Sequence, residues 1–254
     1  MNEKNDRTSA DTDADTDRRA DTGADGAARV VAAVLDGHQR LRTLLDGLTE
    51  AAVREPSALP GWSRAHVLAH IGGVASALAR QTRFAMQGEL IEVYDGGRPA
   101  RDAAIEAGSK RSADELRHTV AEALAEAEGA FTAVGPRDWE RPVRYRDSDV
   151  RGVLLCWWRE LEIHTTDALL GYGPGDWSRD FCAHALDFLA PRAPLDTRLT
   201  LEATDGPERR TYGSGEPLTV RGRLTDLTTW LAGRTPAGPL DSGPAPLPEL
   251  RPWP

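Results

Sequence analysis

Apolar positions recur at helical spacing over residues 30–53, where Val30, Val34, Leu41, Leu45 and Leu48 mark one stripe. The pattern predicts a first helix, ended by Pro56, Pro60 and Gly61. A second helix follows over 64–88, with Ser63 as its N-cap and Gly88 as its end. "VYDGGRPARDAAIEAG" reads as a loop leading into a short helix. Residues 112–134 predict a third long helix, opened by the capping-box pattern Ser112-x-x-Glu115. "GPRDWERPVRYRDSDV" reads as a loop with room for a short strand. A fourth long helix covers 153–170 and closes at Gly171 and Gly173, and a further helix over 181–189 stops before Pro191.

The periodicity then changes. "TRLTLEAT" and "PLTVRG" alternate like strands, separated by the turn-rich "DGPERRTYGSGE". "DLTTWLAGR" is a short helix closed by Gly233, and seven prolines follow from Thr235 onward. The fold class is therefore α+β. A four-helix bundle over 29–191 precedes a small α/β domain over 192–236 and a proline-rich tail over 237–254.

Charge changes the picture at one end. Residues 1–28 carry eight acidic and four basic side chains and none of Val, Ile, Leu, Phe, Trp or Tyr. Such a stretch cannot bury enough apolar surface to offset chain entropy, so it reads as a disordered acidic tail. The whole chain has a formal net charge of −9, which excludes nucleic acid or an anionic membrane as the main partner. Two cysteines outside any CxxC pair, with no signal peptide and no membrane-length apolar run, point to a reducing cytoplasm.

The candidate chemistry lies in "LCWWRELEIHTTDAL", residues 155–169, an apolar helix that carries Glu160, Glu162 and His164. Successive helical residues turn by about 100°, so Glu160 and His164 share a face while Glu162 points about 200° away. Glu162 reads as solvated or salt-bridged. Glu-x-x-x-His on an apolar helix can present two metal ligands, although the same spacing occurs on many helices that bind nothing. The second helix offers His66 and His70, also four apart; His70 lies deeper, among Leu68, Ile71 and Val74. One histidine from that helix would complete a two-His, one-carboxylate set, which suits zinc or non-heme iron with open positions. Cys156, one turn before Glu160, could approach the same place but reads first as a small buried hydrophobe. His38, His118 and His184 have no partner legible in the sequence.

"LPGWSRAHVLAHI" together with "WWRELEIHTTDALLGYG" resembles the mycothiol-dependent maleylpyruvate isomerase family, within the DinB-like metal-binding four-helix bundles. "GGRPARDAAIEAG" and "DLTTWLAGR" are similar to the same family, and the resemblance spans about 30–234. It implies a divalent metal, usually zinc, held by His70, Glu160 and His164. It also implies an arginine near the C-terminal end that takes part in the isomerase chemistry, here Arg234. The implied partners are a small thiol, mycothiol by family or ergothioneine, and a small acidic unsaturated substrate. The implied reaction is thiolate addition to the cis double bond of maleylpyruvate, rotation, and expulsion of the thiol to give fumarylpyruvate. The cation lowers the thiol pKa, and Arg234 stabilises the enolate. The same bundle and thiol would also serve an S-transferase that keeps the adduct. A non-catalytic protein that has kept the bundle is a third reading.

Overall fold

The structure is a computed structural model that describes residues 24–254. The expected tail falls mostly on residues 1–23, outside the described residues. Residues 24–28 are already helical, because the alanines there favour a helix and Ala27 is buried. The chain divides into two compact units, the first ending at Leu170 and the second covering Gly171–Pro254.

The first unit contains α1 (Ala24–Asp46), α2 (Glu50–Arg54), α3 (Arg64–Met86), α4 (Gly97–Gly108), α5 (Ala113–Thr132) and α6 (Val150–Asp167). The expected continuous helix over 30–53 is two helices. Thr49 stands between them as an N-cap, its Oγ1 accepting from Ala52 N at 3.2 Å. A side chain that satisfies the backbone locally competes with helix continuation. Ser112 and Glu115 form the expected reciprocal cap of α5. Between α5 and α6 the possible strand is a single bridge, Pro142 to Asp149, around a tight turn at Tyr145–Asp147.

The four long helices form the bundle. α3 packs on α5 and α6, and α1 packs on the same two. Leu41 and Leu45 of α1, Leu68, Ile71 and Leu78 of α3, Leu116 and Leu124 of α5, and Leu154, Trp157 and Leu161 of α6 are essentially inaccessible to solvent. α4 packs against α3 alongside this core.

The second unit contains α7 (Arg179–Leu189), β1 (Thr197–Ala203), β2 (Arg209–Tyr212), β3 (Glu216–Gly222) and α8 (Leu224–Leu231). The division after Leu170 puts α7 here, where it packs on α8, whereas the sequence reading carried the bundle to 191. The sheet order is β2-β1-β3, with β1 antiparallel to β2 and parallel to β3. β2 lies inside the stretch read as turn. It is an edge strand with no fully buried position, so it lacks the apolar alternation that marks a strand. Pairing of Thr200 with Thr211, and a bond from the Tyr212 hydroxyl to the Leu186 carbonyl at 3.0 Å, hold it in place.

The proline-rich segment is irregular but docked within its unit. Arg221 and Asp241 exchange two backbone hydrogen bonds of 2.8 Å, and Arg251 N donates to the Arg192 carbonyl at 2.9 Å. Among the described residues, no helix is long and apolar enough to cross a membrane.

Candidate metal centre

α3 and α6 pack side by side and set the site. At the start of α3, His66 is occupied as a cap. Its Nδ1 accepts from Ser63 N at 3.2 Å, and its Nε2 lies 3.3 Å from Glu106. One turn further, His70 is buried and meets Glu160 of α6, Nε2 to Oε2 at 3.1 Å. His164, one turn beyond Glu160, brings its own Nε2 to 3.3 Å from the same oxygen. The two imidazoles stand edge to face, 4.5 Å apart. His70, Glu160 and His164 therefore offer three donor atoms within 4.8 Å of one another, a set that could hold a metal ion.

The helix-face argument separates the two glutamates as expected. Glu162 points away and pairs with Arg40 of α1 at 2.6 Å, but it is buried rather than solvated. Cys156 is buried and faces the same cavity, yet it is not part of the three-donor cluster. Burial, and next the charge of Glu160, push its thiol up to about 11, so it stays protonated.

Asp167 escaped the sequence reading. It is fully buried at the end of α6, and its Oδ2 lies 2.9 Å from His164 Nδ1. That bond orients the ring and turns Nε2 toward Glu160, the arrangement a histidine would need to offer Nε2 to a metal. The i, i+3 spacing in "HTTD" was the available signal.

The charges follow from the packing. Burial lowers His70 below the ordinary imidazole range, with Glu160 opposing. Burial acts the same way on His164, but hydrogen bonds to Asp167 and Glu160, and their charges, prevail and raise it to about 9. Burial works to raise Glu160, yet its bonds to His164 and His70 hold it well below the usual carboxylate range. One carboxylate oxygen thus faces two ring nitrogens, a focus of donors that a cation satisfies better than shared protons. Arg101 of α4 donates to His70 Nδ1 at 3.2 Å, so the His70 proton sits on Nε2. Ligation through Nε2 requires the other tautomer and ends that hydrogen bond.

The three donors line a cavity of ≈ 610 Å³. Trp62, Tyr94, Arg98, Arg101 and Arg146 complete much of its polar and aromatic wall. Among the described residues, Glu160 is the sole acidic one lining it. Arg98 and Arg101 come from "GGRPARDAAIEAG", and nothing in the local pattern tied them to α3 or α6.

Residues 34–169 match the family model described as the mycothiol maleylpyruvate isomerase N-terminal domain. The chain belongs to the mycothiol maleylpyruvate isomerase family. The model of the family's C-terminal domain matches residues 176–250. Two solved structures share the fold: the mycothiol-dependent maleylpyruvate isomerase, with a TM-score of 0.80, and a histidine-to-alanine variant of it, with 0.79. Each is 23% identical and covers 89% of this chain and 97% of its own. No curated protein sequence matches.

Arg234, in the second family domain, follows Gly233, whose φ is 74°. Its guanidinium donates to the Ala232 carbonyl at 2.7 Å and lies 5.5 Å from the centre of the Trp253 ring. Arg192 stacks on the same ring, also at 5.5 Å. These contacts within its own unit fit a helix C-terminal arginine; its catalytic role is a proposal.

Proposed function

We propose that the protein is a metal- and thiol-dependent cis–trans isomerase of the maleylpyruvate type, acting at the cavity of the bundle. The observation that carries this reading is the convergence of His70, Glu160 and His164 at a cavity wide enough for a thiol and a small substrate. His70, Glu160 and His164 would hold a divalent cation, and two imidazoles with one carboxylate suit zinc. When bound, the cation would lower the pKa of a coordinated thiol, mycothiol by family or ergothioneine, which supplies reversible addition to an activated cis double bond.

The chain's own residues do the rest. Asp167 keeps the proton of His164 on Nδ1, so that Nε2 faces the site. Buried Leu78 and Val74, with Trp62, line the cavity and limit water around the donors. Arg234 is the proposed cation for negative charge that develops on the substrate.

An S-transferase that retains the adduct is the second reading. A second, apolar cavity of ≈ 280 Å³ adjoins the first, and a small diacid has no use for it. One assay separates the two: maleylpyruvate and purified protein, supplemented with zinc and with a panel of thiols. Conversion to fumarylpyruvate with the thiol regenerated supports the isomerase; accumulation of a stable adduct supports the transferase. No reaction with any thiol overturns the isomerase reading.

A further inference from the structure

The second cavity lies among α3, α4 and α5. Leu68, Ile105, Leu116 and Val120 give it an apolar lining. It shares four wall residues with the metal-site cavity: His70, Val74, Tyr94 and Arg101. A guanidinium and an imidazole therefore stand where an apolar compartment meets a polar one.

We propose that this second cavity is a substrate subsite, and that the preferred electrophile is a carboxylate bearing an apolar substituent. The carboxylate pairs with Arg101, and the substituent, an aryl or branched alkyl group, fills the apolar cavity. The inference rests on the proposed function, because it assigns the substrate of that same centre.

Three observations support it. The first is size. About 150 Å³ of dry cavity is enough to hold a benzene ring, and this one measures ≈ 280 Å³.

The second is Gly73, inside α3. Glycine in a helix interior is destabilising relative to alanine, so it needs a reason. At its neighbour Gly72 a β-carbon would make ordinary contact with Val120 of α5, at 3.7 Å. A β-carbon at Gly73 would meet nothing within 4 Å, so packing does not explain it. Gly73 lines the second cavity, and any larger side chain there would take up its space.

The third is Arg101. Its side chain is 28% exposed and pairs with Asp102 at 2.7 Å, and its 3.2 Å bond to His70 Nδ1 ends once Nε2 ligates, which turns that end of the guanidinium toward a substrate. A guanidinium so placed can grip a carboxylate through two parallel hydrogen bonds. Arg98, three residues earlier on the same helix face, lines the metal-site cavity beside it. A substrate made only of carboxylates and an alkene would satisfy these arginines and leave the apolar wall wet. One that carries an apolar group uses both.

The test is binding of unreactive probes to the full-length, zinc-supplemented protein, followed by calorimetry. 3-Phenylpropionate carries both groups, propionate only the acid, and 3-phenyl-1-propanol only the ring. 3-Phenylpropionate should bind at least tenfold more tightly than either of the others. Gly73→Leu should erase the advantage over propionate while metal content and propionate affinity stay unchanged. Thr119→Phe, on the α5 wall of the cavity, should do the same. Arg101→Gln should erase the advantage over the alcohol. Equal binding of the two acids overturns the proposal, as does a phenyl advantage that survives both Gly73→Leu and Thr119→Phe. Turnover is not needed, so the two readings fail separately. A protein that shows the phenyl advantage but never isomerises maleylpyruvate keeps this subsite and loses the proposed reaction. An active isomerase that binds the two acids equally loses only the subsite.

Discussion

His38 on α1 and His70 on α3 are both buried, and each meets a carboxylate from another helix of the bundle. The rest of their surroundings differs. The Trp157 indole donates to His38 Nε2 at 2.8 Å, which leaves His38 Nδ1 to donate to Glu128 at 3.0 Å. Arg42 completes Glu128 at 2.7 Å. Every nitrogen of that ring has one partner of the right kind, so the cluster is a closed pin between α1, α5 and α6. Around His70 the donors converge instead. Two Nε2 atoms address one oxygen of Glu160, and a cavity opens beside them. A buried histidine with a carboxylate is therefore not itself a sign of chemistry. What sets His70 apart is the convergence of three possible ligand atoms on one point beside a cavity.

The comparison is broken most severely by removing donors. His70→Ala, Glu160→Ala and His164→Ala should each lose most bound zinc while remaining folded. Glu162→Ala should bind zinc normally, since it faces Arg40. His38→Ala should keep its zinc and instead lose about 2–4 kcal/mol of stability, from a cavity and an unpaired indole N–H. Metal analysis and denaturant melts on the same preparations read both. Zinc lost from Glu162→Ala and kept by Glu160→Ala would invert the assignment.

Arg234 is next. If it stabilises developing negative charge, Arg234→Ala should retain zinc and lose roughly 10²-fold in turnover. If it only serves the end of α8 and packs on the Trp253 ring, turnover should stay near wild type while stability falls by about 0.3–1 kcal/mol. Turnover measured per bound zinc decides between them.

Asp167 sharpens the comparison, because it does for His164 what Glu128 does for His38. Asp167→Asn keeps the shape but can offer His164 Nδ1 the wrong partner. Zinc affinity should fall about 10–100-fold, read by competition with a chromogenic chelator. An unchanged affinity would make Asp167 a purely structural group.

The closed pin should also show in the pH dependence of stability. Burial lowers His38 to about 4, with Glu128 opposing. The unfolded ring binds its proton near 6.5, so between those values the unfolded state holds more protons than the folded one. Stability from this group is complete above about pH 6.5 and is lost as pH falls toward 4, by ~3 kcal/mol at most. The stability difference between wild type and His38→Gln should shrink over that window. A difference that stays constant from pH 7 to 4.5 would show that His38 does not resist protonation.

Much of this was legible locally, and the reason is the helical repeat. A period of 3.6 residues decides that Glu160 and His164 share a face and that Glu162 does not, whatever α6 packs against. Ser63, Ser112 and Gly88 mark helix ends because caps act within one turn. The two long strands of the sheet showed through alternation. β2 did not, because an edge strand without a buried face carries no apolar pattern. The break at Thr49 did not show either, since the apolar stripe runs straight across it. Depth in the helix and family resemblance favour His70 over His66 as a third donor; Ser63, one turn back, and Glu106 of α4 occupy His66, and only tertiary packing brings Glu160 of α6 to His70. Asp167 lay within reach of a local argument; Arg101 did not. It sits 31 residues from His70 along the chain, and only the packing of α4 on α3 brings its guanidinium to that ring. Local spacing determines which side chains can act together on one helix. Which helices meet, and with what charge between them, is decided by burial of the core, and no short stretch of sequence encodes it.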